Sequence, residues 1–217
     1  MTFLSWIYVN EMKKYRMNRL LKNVIASIKR LLRNKTLSVV QHDEDFIQIQ
    51  NQKFHYNRAG LLPLIEQSEN RDSMVEVGSL CGFSTRYFSL YFKEVISVDP
   101  YISGYDENDI NSNNSRLRVA RDVFKLRFFD DPKVRQINKP SKDAAADIPN
   151  ESLDFIYIDA GHNYDAVKED IISWKPKLRS KGVMAGDDYH WPGLKKAVSE
   201  LLPNHAEIDG RWYVKLS

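Results

Sequence analysis

Residues Met74–Thr85 read MVEVGSLCGFST. An apolar, strand-like run passes through Gly78 and Gly82 into a helix-like segment, and an acid, Glu76, stands just before the first glycine. Glycines at such a turn let the backbone pass close to a ligand, and the helix that follows aims its free N–H groups and positive dipole end at the same spot. A dinucleotide fingerprint would read G-x-G-x-x-G; here the spacing is Glu76-x-Gly78-x-x-x-Gly82-x-Ser84. A diphosphate would be repelled by Glu76, whereas a carboxylate there can hold the cationic amino-acid end of a sulfonium cofactor. The plain alternative is a tight turn with an incidental acid.

Working outward, short β-branched runs alternate with helical patterns from about residue 60, which is the mark of a doubly wound parallel sheet. The patterns predict strands near Ser73–Gly78, Val95–Asp99, Val134–Asn138, Leu153–Asp159 and Gly182–Asp187. Helices are predicted near Phe83–Phe92, Ser115–Phe129, Tyr164–Leu178 and Leu194–Leu202. At the end, HAEIDGRWYVKLS sets Asp209-Gly210 between two alternating runs, a hairpin signal. The fold class expected is therefore α/β: a Rossmann-like, doubly wound, mostly parallel seven-stranded sheet closed by an antiparallel hairpin. The polar stretch SGYDENDINSNNS is expected to lie over the carboxyl edge of that sheet. Asp99 ends the second strand, where an acid commonly takes a ribose diol through two hydrogen bonds; a turn-forming aspartate is the other reading.

The chain has 217 residues, of which 42% are hydrophobic and 12% aromatic, enough to fill a core. Its single cysteine, Cys81, can form no bridge within the chain, which suits a reducing, cytoplasmic setting. No apolar run reaches the roughly 20 residues that cross a bilayer, and MTFLSWIYVNEMKK carries its charges after the apolar part, the reverse of a secretory signal. The net charge of +3 conceals an asymmetry. No acid falls between Met12 and His42, while Lys13, Lys14, Arg16, Arg19, Lys22, Lys29, Arg30, Arg33 and Lys35 do. Leu20, Leu21, Val24, Ile25, Ile28, Leu31 and Leu32 recur there at helical spacing. Residues 1–50 thus read as a basic amphipathic helical extension and 51–217 as the α/β domain. The helix could touch an anionic membrane surface through residues 13–35, or pack on its own domain or a second copy as a homo-oligomer. Nucleic acid is disfavoured as a partner, because the remaining residues are acidic overall.

EVGSLCGFST, VISVDPY, LDFIYIDAGHNYDAV, EDIISWKPKLRSKG and VMAGDDYHW, in that order, resemble the class I S-adenosylmethionine-dependent methyltransferases. More narrowly, they are similar to the metal-dependent small-molecule O-methyltransferases of the catechol and caffeoyl-CoA type and of the bacterial antibiotic-sugar and cephalosporin-tailoring type. The resemblance runs from about Leu61 to the C-terminus. It implies that Glu76, Gly78, Ser79, Gly82 and Ser84 hold the methionine end of S-adenosyl-L-methionine and that Asp99 holds the ribose. It places Ser141, after the third strand, among the adenine contacts. It also implies that Asp159, Asp187 and Asp188 bind a divalent metal, with Mg²⁺ the first candidate, and that the acceptor is a hydroxyl on a small molecule or glycan.

The metal set has a physical rationale of its own. Strand ends on the carboxyl edge converge on one crevice, and three carboxylates brought together repel unless protonated or neutralised by a cation. All-oxygen ligands favour Mg²⁺, Mn²⁺ or Ca²⁺. In the alternative, Asp188 caps the next helix or turns the chain and Asp159 accepts backbone hydrogen bonds. His162 stands three residues past Asp159, where the catechol-type enzymes carry a catalytic lysine. A histidine can take a hydroxyl proton at neutral pH, so His162 and Asp159 are the catalytic candidates. A loop histidine bound to backbone or supporting the carboxylates is the competing reading. His55, Tyr56, Tyr189, His190 and Trp191 are candidates to line the acceptor pocket, and Trp174 is expected in the core. Metal-independent transfer on the same fold, and a non-catalytic binding protein, are the rivals of the metal-assisted reading.

Overall fold

The computed structural model describes residues 60–104 and 114–216. By its internal contacts the chain divides into two units, Met1–Ile47 and Gln48–Ser217, and every described residue belongs to the second. The basic segment 13–35, His55, Tyr56 and most of the polar loop lie outside the described residues.

The strands are β1 (Ser73–Val77), β2 (Glu94–Val98), β3 (Val134–Ile137), β4 (Leu153–Ile158), β5 (Leu178–Gly186), β6 (Ala206–Ile208) and β7 (Arg211–Lys215). They form one seven-stranded sheet in the order β3-β2-β1-β4-β5-β7-β6. Strands β1 to β5 run parallel, and β7 pairs antiparallel with both β5 and β6. The helices are α1 (Phe83–Phe88), α2 (Asn114–Arg127), α3 (Ser141–Ala146), α4 (Tyr164–Trp174) and α5 (Pro192–Leu201), and a further helical turn covers 60–65.

β4 is buried on both faces because helices cover both, and all of its residues but Asp154 are apolar or aromatic. One core packs Ile156, Ile158, Trp174, Met184 and Trp212, and the other packs Phe88, Phe92, Phe155 and Tyr157. Truncating a fully buried ring such as Trp174 or Trp212 costs about 3–5 kcal/mol in cores of this kind. At the amino edge the buried Asp154 carboxylate accepts from the backbone N–H of Asp72 (2.8 Å) and Ser73 (3.0 Å) and from Arg179 (2.7 Å). That single side chain ties the start of β1 to β4 and β5. The closing turn puts Asp209 and Gly210 at φ 49° and 75°, the left-handed pair that a two-residue hairpin needs.

Several boundaries differ from the sequence expectation. The helix expected to Phe92 ends at Phe88. The helix expected to reach Leu178 ends at Trp174, since Pro176 lacks an N–H and leaves a single 3-10 turn over Lys175–Lys177. β5 begins at Leu178, four residues before the expected Gly182, with a register shift where it joins β4. Helix α3 was not anticipated, being six residues of SKDAAA with no apolar stripe to reveal it.

Candidate active site

The carboxyl edge of the sheet is built from the loops after β1, β2, β4 and β5. Gly78 has φ 88°, and a Cβ there would lie 2.0 Å from the carbonyl oxygen of Asp159. The glycine turn and the tip of β4 are thus in backbone contact, which only a residue without a side chain permits. Gly82 (φ 73°) then starts α1.

Glu76 lies behind the turn, fully buried, with its two oxygens accepting from the hydroxyls of Ser84 and Thr85 on α1. Burial pushes its carboxyl up to about 7, against the pull of those two hydrogen bonds. In this arrangement the acid anchors the first turn of α1. Asp99 accepts from the N–H of Leu80 (2.8 Å) and of Tyr101 (2.8 Å), so the ribose candidate clasps the glycine turn. Burial raises its carboxyl above the usual range, while those backbone donors pull it back. The Tyr101 hydroxyl donates to the Leu80 carbonyl (2.8 Å), a second link between the two loops. Ser79 is buried in the same turn. Ser141 is engaged elsewhere: its hydroxyl donates to the buried Asp170 and accepts from Trp174 Nε1 (2.8 Å), stapling α3 to α4.

Asp159, Asp187 and Asp188 share one electrostatic neighbourhood. The Asp159 carboxyl is driven well above the ordinary range, first by burial and then by Asp187, Asp188 and Glu76, with Arg211 acting in the opposite direction. Asp187 is turned toward the hairpin: its Oδ2 accepts from the Tyr157 hydroxyl (3.2 Å) and lies 3.4 Å from Arg211 Nη2. Asp188, at φ 59°, sends Oδ2 to His162 Nε2 (2.9 Å). His162 also stacks on Trp191, with centroids 5.1 Å apart. Asn163 accepts from the Ala166 N–H (2.9 Å) and caps α4, fixing the loop that carries the histidine.

Among the described residues no group of three His, Cys, Asp or Glu side chains is arranged to hold a metal ion. The donors have the right chemistry for a hard cation, but Asp187 is occupied by Tyr157 and Arg211, and Asp188 by His162. Tyr189 does not line this crevice, contrary to expectation. It is buried, with its hydroxyl bonded to His205, because its ring fills the core under α5. His190 is exposed at the rim, and Trp174 is core as expected. Arg211 and Tyr157 were missed. The Asp-Gly turn placed Arg211 at the head of a strand, but nothing local says which strand it pairs with.

Strand order, glycine turn and acidic crevice together define a class I S-adenosylmethionine-dependent methyltransferase. Residues 75–189 match the family model described as a methyltransferase domain, and the chain belongs to that family. Among solved structures it is similar to the O-methyltransferase NovP, at 20% identity over 76% of this chain and 79% of that one, with TM-score 0.55. It is also similar to CalS11, a TDP-rhamnose 3'-O-methyltransferase, at 14% identity over 89% and 93% with TM-score 0.53. Spermidine synthase of Thermotoga maritima resembles it as well, at 16% identity over 76% and 59% with TM-score 0.53. Likenesses this distant concern the fold. No curated protein matches the sequence. Among the described residues no helix is long and apolar enough to cross a membrane.

Proposed function

We propose that the protein transfers the sulfonium methyl of S-adenosylmethionine to a hydroxyl, on a small molecule or glycan with two neighbouring oxygens. The observation that carries this reading is the backbone contact between Gly78 and Asp159, which gives the donor turn and the acidic crevice a common wall. NovP and CalS11, both named as O-methyltransferases, support oxygen as the acceptor atom, and the sugar substrate named for CalS11 supports a glycan. The glycine turn with Ser79 and Ser84 would bind the methionine end, with Glu76 holding that turn from behind, and Asp99 would bind the ribose. Ser141 would approach the adenine through its backbone at the start of α3, its hydroxyl being held by Asp170 and Trp174.

In the transfer, a lone pair of the acceptor oxygen attacks the methyl carbon in line with sulfur. The carbon–sulfur bonding pair goes to sulfur, and the hydroxyl proton goes to a base. His162 suits that role: its Nε2 lies 2.9 Å from Asp188 Oδ2, and the tautomer in which Nε2–H donates to that carboxylate carries its basic lone pair on Nδ1. The stack on Trp191 holds the imidazole plane. Asp159, whose carboxyl is pushed well above the ordinary range by burial and its neighbours, is the alternate base where a cation lowers its pKa. His162→Ala is expected to lower kcat by roughly 100-fold or more with affinity for S-adenosylhomocysteine unchanged. A fall in that affinity matching the loss in kcat would remove the assignment.

The finer part of the proposal is a divalent ion, Mg²⁺ first, held by Asp159, Asp187 and Asp188. When bound it would acidify and orient the acceptor hydroxyl. Asp187 and Asp188 would have to exchange Arg211 and His162 for the ion. Those same contacts favour a second reading, transfer without metal, in which His162 alone handles the proton. Exhaustive chelation decides between them: on the metal-assisted reading turnover falls to background and returns with Mg²⁺. Turnover that survives chelation establishes the metal-independent mechanism.

A further inference from the structure

The hairpin register places Arg211 in the acidic crevice. Ile158 pairs with Gly186 and Gly186 with Trp212, so Asp159, Asp187 and Arg211 each stand one residue beyond that row on adjacent strands. Alternation puts all three on the face that carries Tyr157, Ala185 and Tyr213. Arg211 is only 5% exposed. Its guanidinium lies 3.4 Å from Asp187 Oδ2 and 3.4 Å from the Asp209 carbonyl oxygen. Gly60, in the helical stretch 60–65, closes over it: a Cβ on Gly60 would come within 2.0 Å of Arg211 Nη1. The guanidinium is therefore held between Gly60 and Asp187 by backbone on one side and a carboxylate on the other.

We propose that Arg211 is the resident cation of this acidic row and that it sets the row's affinity for a divalent ion by competing for Asp187. One positive charge faces Asp187, in a row that also carries Asp159 on the neighbouring strand. Asp187 Oδ2 faces Arg211 and Tyr157, and Oδ1 accepts from the Asp188 N–H (2.9 Å). A fixed cation beside the carboxylate repels a second one, so an ion that ligates Asp187 does so against the guanidinium. The proposal rests on the crevice being the reaction site and concerns what occupies it before substrate arrives.

Mn²⁺ is the probe, followed on the full chain by loss of the free-ion electron paramagnetic resonance signal and by the thermal midpoint with and without the ion. Arg211→Met is expected to bind Mn²⁺ at least tenfold more tightly than the wild type. Its midpoint should drop without the ion and recover with it. Arg211→Lys, which keeps the charge, should stay close to the wild type. Arg211→Gln, which removes the charge but keeps a polar side chain, should also bind Mn²⁺ more tightly, which covers the case that Arg211→Met does not fold. Equal or weaker Mn²⁺ binding in the foldable variants, or no binding in any of them, overturns the proposal. Methyl transfer is read separately: its absence beside the expected Mn²⁺ pattern counts against the proposed function alone, and its presence beside equal Mn²⁺ affinities counts against the role of Arg211 alone.

Discussion

Gly78→Ala is expected to abolish measurable binding of S-adenosylhomocysteine and to lower the thermal midpoint together. The left-handed backbone at φ 88° costs an alanine about 1–2 kcal/mol. The new methyl group would also sit 2.0 Å from the Asp159 carbonyl oxygen, inside any van der Waals contact. Overpacking of this kind adds about 1–3 kcal/mol. No flexible side chain can yield, because the clash is with backbone at the tip of β4, so either the donor turn or the acidic crevice must move. A loss of roughly 3 kcal/mol corresponds to about 6–12 °C in a domain of this size. Calorimetric titration and a melting curve check both effects. A variant that melts with the wild type and binds the cofactor product normally would show that Gly78 and Asp159 do not share a wall, and the proposed site would lose its basis.

Glu76→Gln is expected to change how stability depends on pH. The buried Glu76 carboxyl titrates at about 7 in the folded chain against 4.5 when unperturbed, because burial disfavours its charge. The native state therefore holds a proton that the unfolded chain has released between those two values. The stability associated with that proton is complete below about pH 4.5, declines as pH rises, and is gone above about pH 7. The difference amounts to at most about 3 kcal/mol. Glutamine is neutral throughout and can still bond the Ser84 and Thr85 hydroxyls, so the variant should melt above the wild type at pH 8 and lose most of that advantage near pH 4.5. Convergence of the two curves at pH 8 would show that Glu76 ionises there without cost. The same variant separates two roles for the acid. Retained affinity for S-adenosylhomocysteine assigns it to anchoring α1, and a large loss assigns its charge to the ligand.

The outcomes for particular elements follow from how local their causes are. β1, β2 and β4 lie within a residue of their expected spans because a buried parallel strand is an apolar run with turn residues at its ends. The early start of β5 was hidden because Arg179, Ser180 and Lys181 are charged or polar, the first half-buried and the other two exposed, and such residues reveal a strand only once a neighbour pairs with them. α3 was hidden for a related reason: its two buried alanines, Ala144 and Ala145, fill small spaces set by α4 and leave no stripe to read. At the site, the gathering of Asp159, Asp187 and Asp188 was legible from their places at strand ends, since parallel strands deliver their carboxyl ends to one edge. The partner each takes was not.

The sequence by itself determined the succession of strands and of every helix but α3 along the chain, the glycine turn, the closing Asp-Gly hairpin and the residue types delivered to the carboxyl edge, because each of these depends on periodicity and backbone preference within a few neighbours. Tertiary structure alone decided that Glu76 is sealed behind α1, that Ser141 is spent on Asp170 and Trp174, and that Arg211 lies against Asp187. These depend on strand register and on the depth at which a side chain comes to rest. Register joins residues as distant as Asp187 and Arg211 through hydrogen bonds that no local pattern encodes, and depth sets the dielectric that decides whether a carboxylate is charged.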